Sequence, residues 1–420
     1  MQDNYINNFG FLQVNSFLQV NNFVVNNFYT ADVDVGNGFK NGQEKTAERE
    51  ACQEASRVDD LNVIDWDLAE EYEENINDEK EKFLPSKLKT LQLEQIYLYC
   101  ENYVKAQRLN QCGTYLEFLI AKGATIDKKK LKRINSCKLR LCPYCAWRRS
   151  LRTFVNVKLC YDYIVKQDSK NNNLKSTFKL LTLTTENVTG EDLKGEVDAI
   201  LKAFNRFRQY KPFKDAFCGF VRALEVTCDR EPIITKKMYF GKKHDYFKKR
   251  CLHIGDSNPN YLFYNVHIHV LLHTHFKRYQ ENYLKTSFIV KLWRQALGAD
   301  YDPVCDIRNF KAKNKDTRGR EIAEIAKYTV KPVDYMRGNC DNREHINHEF
   351  MIDVDVIGFL DSALSGRRLL AYGGTFRDAH NALGLDDEKM VDDKDRTTAE
   401  EYILKYYFSF KNKLYRRIRD

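Results

Sequence analysis

The sequence predicts an α+β fold in which helices flank an antiparallel sheet. Three stretches rich in β-branched and aromatic residues alternate as strands do, namely residues 180–185, 221–227 and 263–272. Residues 288–296 and 321–330 carry helix-forming side chains. A capping box of Thr189 and Asp192 predicts a further helix that extends to about Arg208. This order of strands and helices is typical of an antiparallel sheet covered by helices.

Two histidines lie in the predicted strand 263–272. His267 and His269 are two residues apart, so both side chains point to the same face of the sheet. Neutral imidazoles in such a pair bind divalent metal ions well. Hydrogen-bonded histidines at a strand surface are the alternative. His273 and His275 continue on the same face, but the apolar run between the pairs favours the first pair.

A carboxylate lies in the preceding predicted strand. Glu225 is surrounded by apolar and β-branched residues, and a buried carboxylate needs a partner. A metal ion bound by the histidine pair would supply one. The alternation of the strand by itself fits a Glu225 on the solvent face equally well.

A glutamate and a tyrosine share one face of the helix predicted over residues 321–330. Glu324 and Tyr328 are four residues apart, which places them one turn from each other. Pro332 ends the helix, because the residue before a proline is disfavoured in the α region. Such a pair is usually found on a plain helix surface, so its significance depends on a nearby metal site.

Four cysteines form a knuckle-like pattern, with C-x4-C-x2-C as its last three members: Cys112, Cys137, Cys142 and Cys145. This spacing predicts a tetrahedral structural Zn²⁺ site. Free buried cysteines are the alternative, and Cys100 competes with Cys112 as the fourth ligand.

Basic and aromatic residues follow this pattern directly. Trp147, Arg148 and Arg149 suit base stacking and phosphate contact. The two arginines also fit the start of an ordinary solvated helix.

Four ordered stretches resemble those of the replication initiators of small rolling-circle plasmids of Gram-positive bacteria, which belong to the HUH endonuclease superfamily. They are LTLTTENVTGEDL (181–193), RALEVT (222–227) with VHIHVLL (266–272), EIAKYTVKPVD (324–334) and CKLRLCPYCAWRRSL (137–151). The resemblance covers about residues 112–386. It implies a central five-stranded HUH sheet with the histidine pair on a middle strand, preceded by the zinc segment. It also implies Glu225 as third ligand of a Mg²⁺ or Mn²⁺ ion.

The resemblance implies a mechanism as well. Tyr328 attacks the scissile phosphate, which leaves a 5′-phosphotyrosine and a 3′-OH primer. Glu324 activates the water that ends replication by hydrolysis, because it stands where some relatives carry a second tyrosine. Lys331 matches the family's Y-x-x-K and orients the phosphate, although a lysine in a last helical turn is also expected on other grounds. Lys327 is a further candidate DNA contact.

The implied partners are plasmid origin DNA, either single-stranded or extruded as a hairpin, a host DNA polymerase and a host helicase. A separate helicase is expected because the sequence contains no GxxxxGK[ST] phosphate-binding loop. The competing functions are a transposase or relaxase of the same superfamily and a zinc-containing DNA-binding regulator without catalysis. A cyclic phosphodiesterase is disfavoured, because its two HxH motifs would lie on separate strands.

Composition fits a nucleic-acid partner. The chain has 420 residues and a net charge of +9, which suits a polyanion without proving one. Without a signal peptide or a long apolar run, it is expected to be a cytoplasmic bacterial protein that has no contact with a membrane and keeps its 12 cysteines reduced or metal-bound.

The sequence predicts four regions. Residues 1–82 form a low-complexity, acidic and disordered arm, and residues 83–155 a helical segment with the zinc knuckle. Residues 156–340 form the HUH nuclease domain, and residues 341–420 a C-terminal helical region.

Four further elements are expected, each from local composition: a helix over 91–109, a basic hairpin or solvated loop within 229–260, a strand over 301–307 and an amphipathic helix over 397–420.

Overall fold

A computed structural model describes most of the chain beyond the N-terminal arm. It covers Ile76 and residues 82–121, 130–170, 174–241, 244–311, 315–326, 335–337, 348–388 and 401–418. All these residues belong to one unit, Ile64–Asp420. The disorder predicted for residues 1–82 lies outside the described residues, apart from Ile76 and Lys82.

A five-stranded antiparallel sheet forms the centre of the fold, as predicted. Its strands are β3 (Ser176–Thr184), β4 (Gly219–Cys228), β5 (Tyr264–His275), β6 (Cys305–Asn309) and β7 (Leu370–Gly374). They are arranged in the order β6-β3-β5-β4-β7, so β5 is the middle strand. The strand expected over residues 301–307 therefore begins four residues later than predicted.

Helices surround this sheet. In chain order they are α1 (Phe83–Tyr99), α2 (Tyr103–Gln111), α3 (Pro143–Ser169), α4 (Leu193–Phe207), α5 (Lys211–Ala216), α6 (Lys236–Tyr239), α7 (His244–Lys249), α8 (Phe276–Glu281), α9 (Thr286–Leu297), α10 (Lys315–Ile325), α11 (His348–Leu364) and α12 (Thr375–Ala382). The expected helices near Thr189 and around residues 288–296 are confirmed as α4 and α9. The capping box is wrong, because the Thr189 hydroxyl donates to the Asp192 carboxylate, and Asp192 is the N-cap without a side-chain cap hydrogen bond. The boundary predicted at residue 155 falls inside α3.

The two faces of the central sheet bury different cores. Ile268, Val270 and Leu272 of β5 belong to the larger core, to which α4, α9 and α11 contribute. Leu271 points to the other face and joins a smaller core with side chains of α3, α10 and α12. Because side chains alternate along a strand, the histidines of β5 share the face of Leu271.

A second, four-stranded antiparallel sheet was not predicted. Its order is β2-β1-β8-β9, and it combines β1 (Tyr115–Ala121) and β2 (Lys130–Ile134) with β8 (Glu401–Ser409) and β9 (Leu414–Arg417). The predicted amphipathic helix over residues 397–420 is therefore wrong. Burial alternates along β8 with period two, because Leu404, Tyr406 and Phe408 are buried whereas Ile403 and Tyr407 are exposed.

The C-terminal region, residues 341–420, is predicted to be helical but contains both helices and strands. Its residues supply α11 and α12, but also β7, which pairs with β4 at the edge of the central sheet. The aromatic and β-branched residues of 401–417 favour strands once another strand, β1, is available to pair with β8.

The single helix expected over residues 91–109 is two helices. Glu101 adopts a positive φ of 57°, which interrupts the helix after α1. The Asn102 side chain then accepts a hydrogen bond of 3.2 Å from the Lys105 backbone N–H and caps α2.

The described residues of the insert 229–260 form short helices and not the expected hairpin. Its described residues contain the short helices α6 and α7, and the Thr235 side chain caps α6 by accepting a hydrogen bond from the Met238 N–H. Phe247 is fully buried and stacks with Tyr239. A local aromatic core therefore organises the insert, with the lysines around it.

Candidate active site

Three predicted metal ligands meet on β4 and β5. Glu225 lies directly opposite His267 in the antiparallel register, and His269 follows on the same face. One carboxylate oxygen of Glu225, Oε2, lies 3.1 Å from His267 Nε2 and 2.9 Å from His269 Nε2. The Glu225 residue is only 5% exposed, so the alternative of a solvent-facing carboxylate is wrong.

The electrostatics of the triad fit a cation. Burial by itself raises the pKa of the Glu225 carboxyl, but hydrogen bonds from His267 and His269 outweigh burial and hold that pKa well below its usual range. The carboxylate is therefore ionised at neutral pH. His267 Nδ1 is buried and has no hydrogen-bond partner among the described residues, whereas His269 Nδ1 lies 3.3 Å from the Thr182 hydroxyl. The Nε2 atoms of His267 and His269 both face the same carboxylate oxygen of Glu225, which carries a negative charge.

The helix predicted over residues 321–330 corresponds to α10, which packs on this face of the sheet. It begins six residues earlier than predicted, at Lys315, and is described as far as Ile325. Ile322 and Ile325 are buried in the smaller core, together with Val221 and Leu271 of the sheet. Glu324 is half-buried. The helix is further fixed by an ion pair of 2.5 Å between Glu321 and Arg308 of β6.

The described part of this segment ends at Ala326. The predicted nucleophile Tyr328 and the lysines Lys327 and Lys331 lie outside the described residues.

The four predicted cysteines also converge. The Sγ–Sγ distances are 3.7 Å for Cys112–Cys142, 3.5 Å for Cys112–Cys145 and 3.6 Å for Cys137–Cys145. A tetrahedral zinc ion with bonds of about 2.3 Å places sulfurs about 3.8 Å apart, whereas a disulfide requires about 2.05 Å. The alternative ligand Cys100 is exposed and does not belong to the group. This four-cysteine cluster therefore fits a tetrahedral metal site.

A buried lysine beside this cluster was missed in the sequence. Lys87 is fully buried in α1 and donates hydrogen bonds to the backbone carbonyls of Asn110 and Cys112, at 2.6 and 2.8 Å. Burial lowers the pKa of Lys87 to about 8, while the nearby thiols and Glu94 oppose this shift. Its cationic form offsets the negative charge of thiolates. In the sequence, the burial of Lys87 could be suspected only from its position among the apolar residues of a predicted helix.

The predicted DNA contacts after the knuckle differ in exposure. Trp147 is buried, and its ring packs edge-on against Phe83 and Tyr144. This burial argues against base stacking by Trp147. Arg148 lies over the Trp147 ring, at 5.4 Å from its centroid. Arg149 donates to the Lys138 carbonyl and lies 3.7 Å from Glu388.

An arginine-rich cavity adjoins the triad. It has a volume of about 780 Å³, and its wall includes Ala223, the register partner of His269, and Ile325 of α10. Five arginines line it: Arg140, Arg149, Arg367, Arg368 and Arg377. Except for Arg149, these arginines were not singled out in the sequence, because they come from distant segments.

A family model described as "Replication protein" (Rep_1) matches residues 128–416. The chain belongs to this replication protein family. This assignment confirms the resemblance to plasmid replication initiators drawn from the motifs.

Curated relatives of this replication protein agree. "Protein rep" of Bacillus amyloliquefaciens is 33% identical over 296 residues, which is 67% of this chain and 74% of the relative. "Protein rep" of Lentilactobacillus hilgardii is 31% identical, with 72% and 82% covered. "Protein rep" of Lactiplantibacillus plantarum is 31% identical, with 75% and 90% covered. No solved structure matches this replication protein. Among its described helices, none is long and apolar enough to cross a membrane.

Proposed function

We propose that this protein starts rolling-circle replication of a plasmid by nicking one DNA strand at the double-strand origin. The observation that carries the proposal is the convergence of His267, His269 and Glu225 on the middle of a five-stranded antiparallel sheet. Membership of the replication protein family supports it.

His267, His269 and Glu225 would hold a divalent ion. Such an ion, when bound, polarises the scissile phosphate and offsets charge that develops in the transition state. Imidazole nitrogens suit Mn²⁺ and other transition ions better than Mg²⁺, which prefers oxygen ligands. The Thr182 hydroxyl fixes the orientation of the His269 ring, as outer contacts of metal ligands do. We therefore expect Mn²⁺ to support nicking at lower concentrations than Mg²⁺.

Tyr328 is the proposed nucleophile. The Tyr328 hydroxyl loses its proton to water, and its oxygen bonds to phosphorus while the P–O3′ bond breaks. The departing oxygen takes a proton from water and becomes a free 3′-OH. A tyrosine hydroxyl has a pKa of about 10, so it depends on a cationic environment to react at neutral pH. The position of Ile325 on the face of the histidines supports this role, because Tyr328 follows three residues later. Lys327 and Lys331 would contact the phosphate.

Glu324 is the proposed base for termination. It would take a proton from the water that attacks the strand returning to the origin, so the second cleavage releases DNA by hydrolysis. Its half-buried position on α10, the helix that packs on the face of the histidines, supports the proposal.

The arginine-rich cavity is the proposed path of the DNA strand. Arginines bind phosphates in a bidentate manner, and five of them line the cavity beside the triad. Arg140 and Arg149 form ion pairs with Glu388, and Arg367 with Asp198, so a phosphate would exchange with these carboxylates. Arg148 and Arg149 extend this basic surface towards the four-cysteine cluster. The origin DNA would enter single-stranded or as an extruded hairpin, the 3′-OH would serve a host polymerase, and a host helicase would separate the strands.

The decisive experiment detects a covalent protein–DNA adduct. The protein is mixed with Mn²⁺ and either pooled single-stranded DNA or supercoiled plasmid that carries the native origin, and is then denatured in SDS. We expect an adduct that disappears with EDTA and with Tyr328→Phe. Tyr283→Phe is the matched control, because Tyr283 is 61% exposed on the surface.

Two outcomes contradict the proposal. An adduct that survives Tyr328→Phe places the nucleophile elsewhere in the chain. The absence of an adduct with every DNA favours the non-catalytic DNA-binding regulator.

A further inference from the structure

A second cluster of metal-ligating side chains lies at the other end of β5. Asp168, near the end of α3, faces His273 and His275. One carboxylate oxygen, Oδ2, lies 3.1 Å from His273 Nε2 and 3.2 Å from His275 Nε2. Neither the motifs that resemble the plasmid initiators nor the proposed nicking reaction uses these three residues.

The spacing fits ligands around one ion. Tetrahedral Zn²⁺ with bonds of about 2.0–2.1 Å places its ligand atoms about 3.3 Å apart, close to both measured distances. His275 Nε2 is buried and makes no hydrogen bond of acceptable geometry with the described residues, although Asp168 lies 3.2 Å away. Its closeness to the carboxylate without hydrogen-bond alignment is expected when both atoms point at a common centre.

Each ligand is fixed by a further contact. The Thr375 hydroxyl lies 2.9 Å from His273 Nδ1, and the Ser176 hydroxyl donates to Asp168 Oδ2 at 2.5 Å. The Cys218 thiol lies 3.7 Å from His275 Nδ1. Metal-binding histidines characteristically use the second ring nitrogen in this way, which sets the orientation of the ring.

Burial also favours metal binding by this cluster. His273 is fully buried, and both of its ring nitrogens face polar groups, Asp168 and Thr375, at 3.1 and 2.9 Å. The Asp168 and His275 side chains are 14% and 18% exposed, so the cluster lies close to the protein surface.

The cluster is separate from the nicking site. His269 and His273 are four residues apart on one strand, which corresponds to roughly 13 Å. Leu271 lies between them and is fully buried in the smaller core. One ion cannot bridge both triads.

We propose that Asp168, His273 and His275 bind a Zn²⁺ ion that ties the end of α3 to the central strand. Helix α3 has 27 residues, which is about 40 Å, and it begins within the four-cysteine cluster. The second ion would hold the opposite end of the same helix. Helix α3 would thus be fixed at both ends across the face of the sheet that carries the nicking site.

The test measures zinc per chain in full-length variants that carry His267→Ala and His269→Ala, so that the nicking site binds no zinc. Adding Asp168→Asn or His275→Gln is expected to remove one equivalent of zinc by elemental analysis. His253→Gln is the matched control, because the His253 side chain is 74% exposed and belongs to neither cluster. An unchanged zinc content with both substitutions overturns the proposal. Asp168 would then hold His273 and His275 by direct polar contacts, without a metal ion.

X-ray absorption of the zinc in the His267→Ala, His269→Ala protein gives a second readout that needs no change in the cluster. We expect a shell with both sulfur and nitrogen or oxygen neighbours. A shell of sulfur alone overturns the proposal, even where the Asp168 and His275 variants fail to fold.

Discussion

At the scale of single residues, the site depends on one buried carboxylate, Glu225, whose negative charge is stabilised by His267 and His269. The Glu225 carboxylate is buried, yet two imidazoles keep it ionised. Such a residue is sensitive to conservative replacement, since an amide of the same size removes the charge but leaves the packing.

Glu225→Gln is predicted to weaken metal binding strongly. The concentration of Mn²⁺ that gives half of the maximal adduct should rise by at least about 10-fold, because one anionic ligand is lost while both imidazoles stay. The measurement is a Mn²⁺ titration of adduct formation. Glu191→Gln, at an exposed position before α4, should leave the titration unchanged. An equal response of both variants would exclude Glu225 as a ligand.

At the scale of elements, the junction of β7 and α12 depends on glycine. Gly374 has φ 54° and ψ −138°, and a Cβ at this position would lie 2.0 Å from the Cys218 carbonyl oxygen. The edge strand β7 therefore ends at Gly374, and α12 begins at the next residue. This junction also places Thr375 against His273.

Gly374→Ala is predicted to lower the free energy of unfolding by at least about 2 kcal/mol, because the backbone conformation and the close carbonyl both reject a side chain. Gly358→Ala is the matched control, since Gly358 lies in α11 with open space around its Cα. The control should raise the free energy of unfolding by about 0.5–1 kcal/mol. Urea unfolding measures both, and similar changes in the two variants would contradict the argument.

At the scale of the whole molecule, the two sheets and the four-cysteine cluster share one core. The larger core contains Phe118 and Tyr406 of the four-stranded sheet, Cys142 of the cluster and Ile268 of the central sheet. The Tyr415 hydroxyl of β9 also donates to the Gly113 carbonyl beside Cys112, at 2.7 Å. Loss of the cluster should therefore weaken the entire unit and not one segment.

Cys142→Ser is predicted to lower the thermal unfolding midpoint by at least about 5 °C and to remove one zinc equivalent, because metal-binding free energy contributes to folding. Differential scanning calorimetry and elemental analysis measure the two effects. Cys100→Ser should change neither, since Cys100 lies outside the cluster. A loss of zinc with Cys100→Ser would instead identify Cys100 as a zinc ligand.

The sequence by itself determined the features that arise from short-range periodicity. His267 and His269 share a face because a strand alternates, and the C-x2-C turn brings two thiols together within a few residues. The strands β3, β4 and β5 and the helices α4 and α9 follow from the same local patterns.

The tertiary structure alone decided which distant segments meet. The register of β4 on β5 places Glu225 against His267, a choice that alternation left open. Pairing with β1 makes residues 401–409 a strand, and the path of α3 brings Asp168 to His273. Strand pairing and long-range packing depend on partners far away in the chain, so local sequence patterns carry no signal for them.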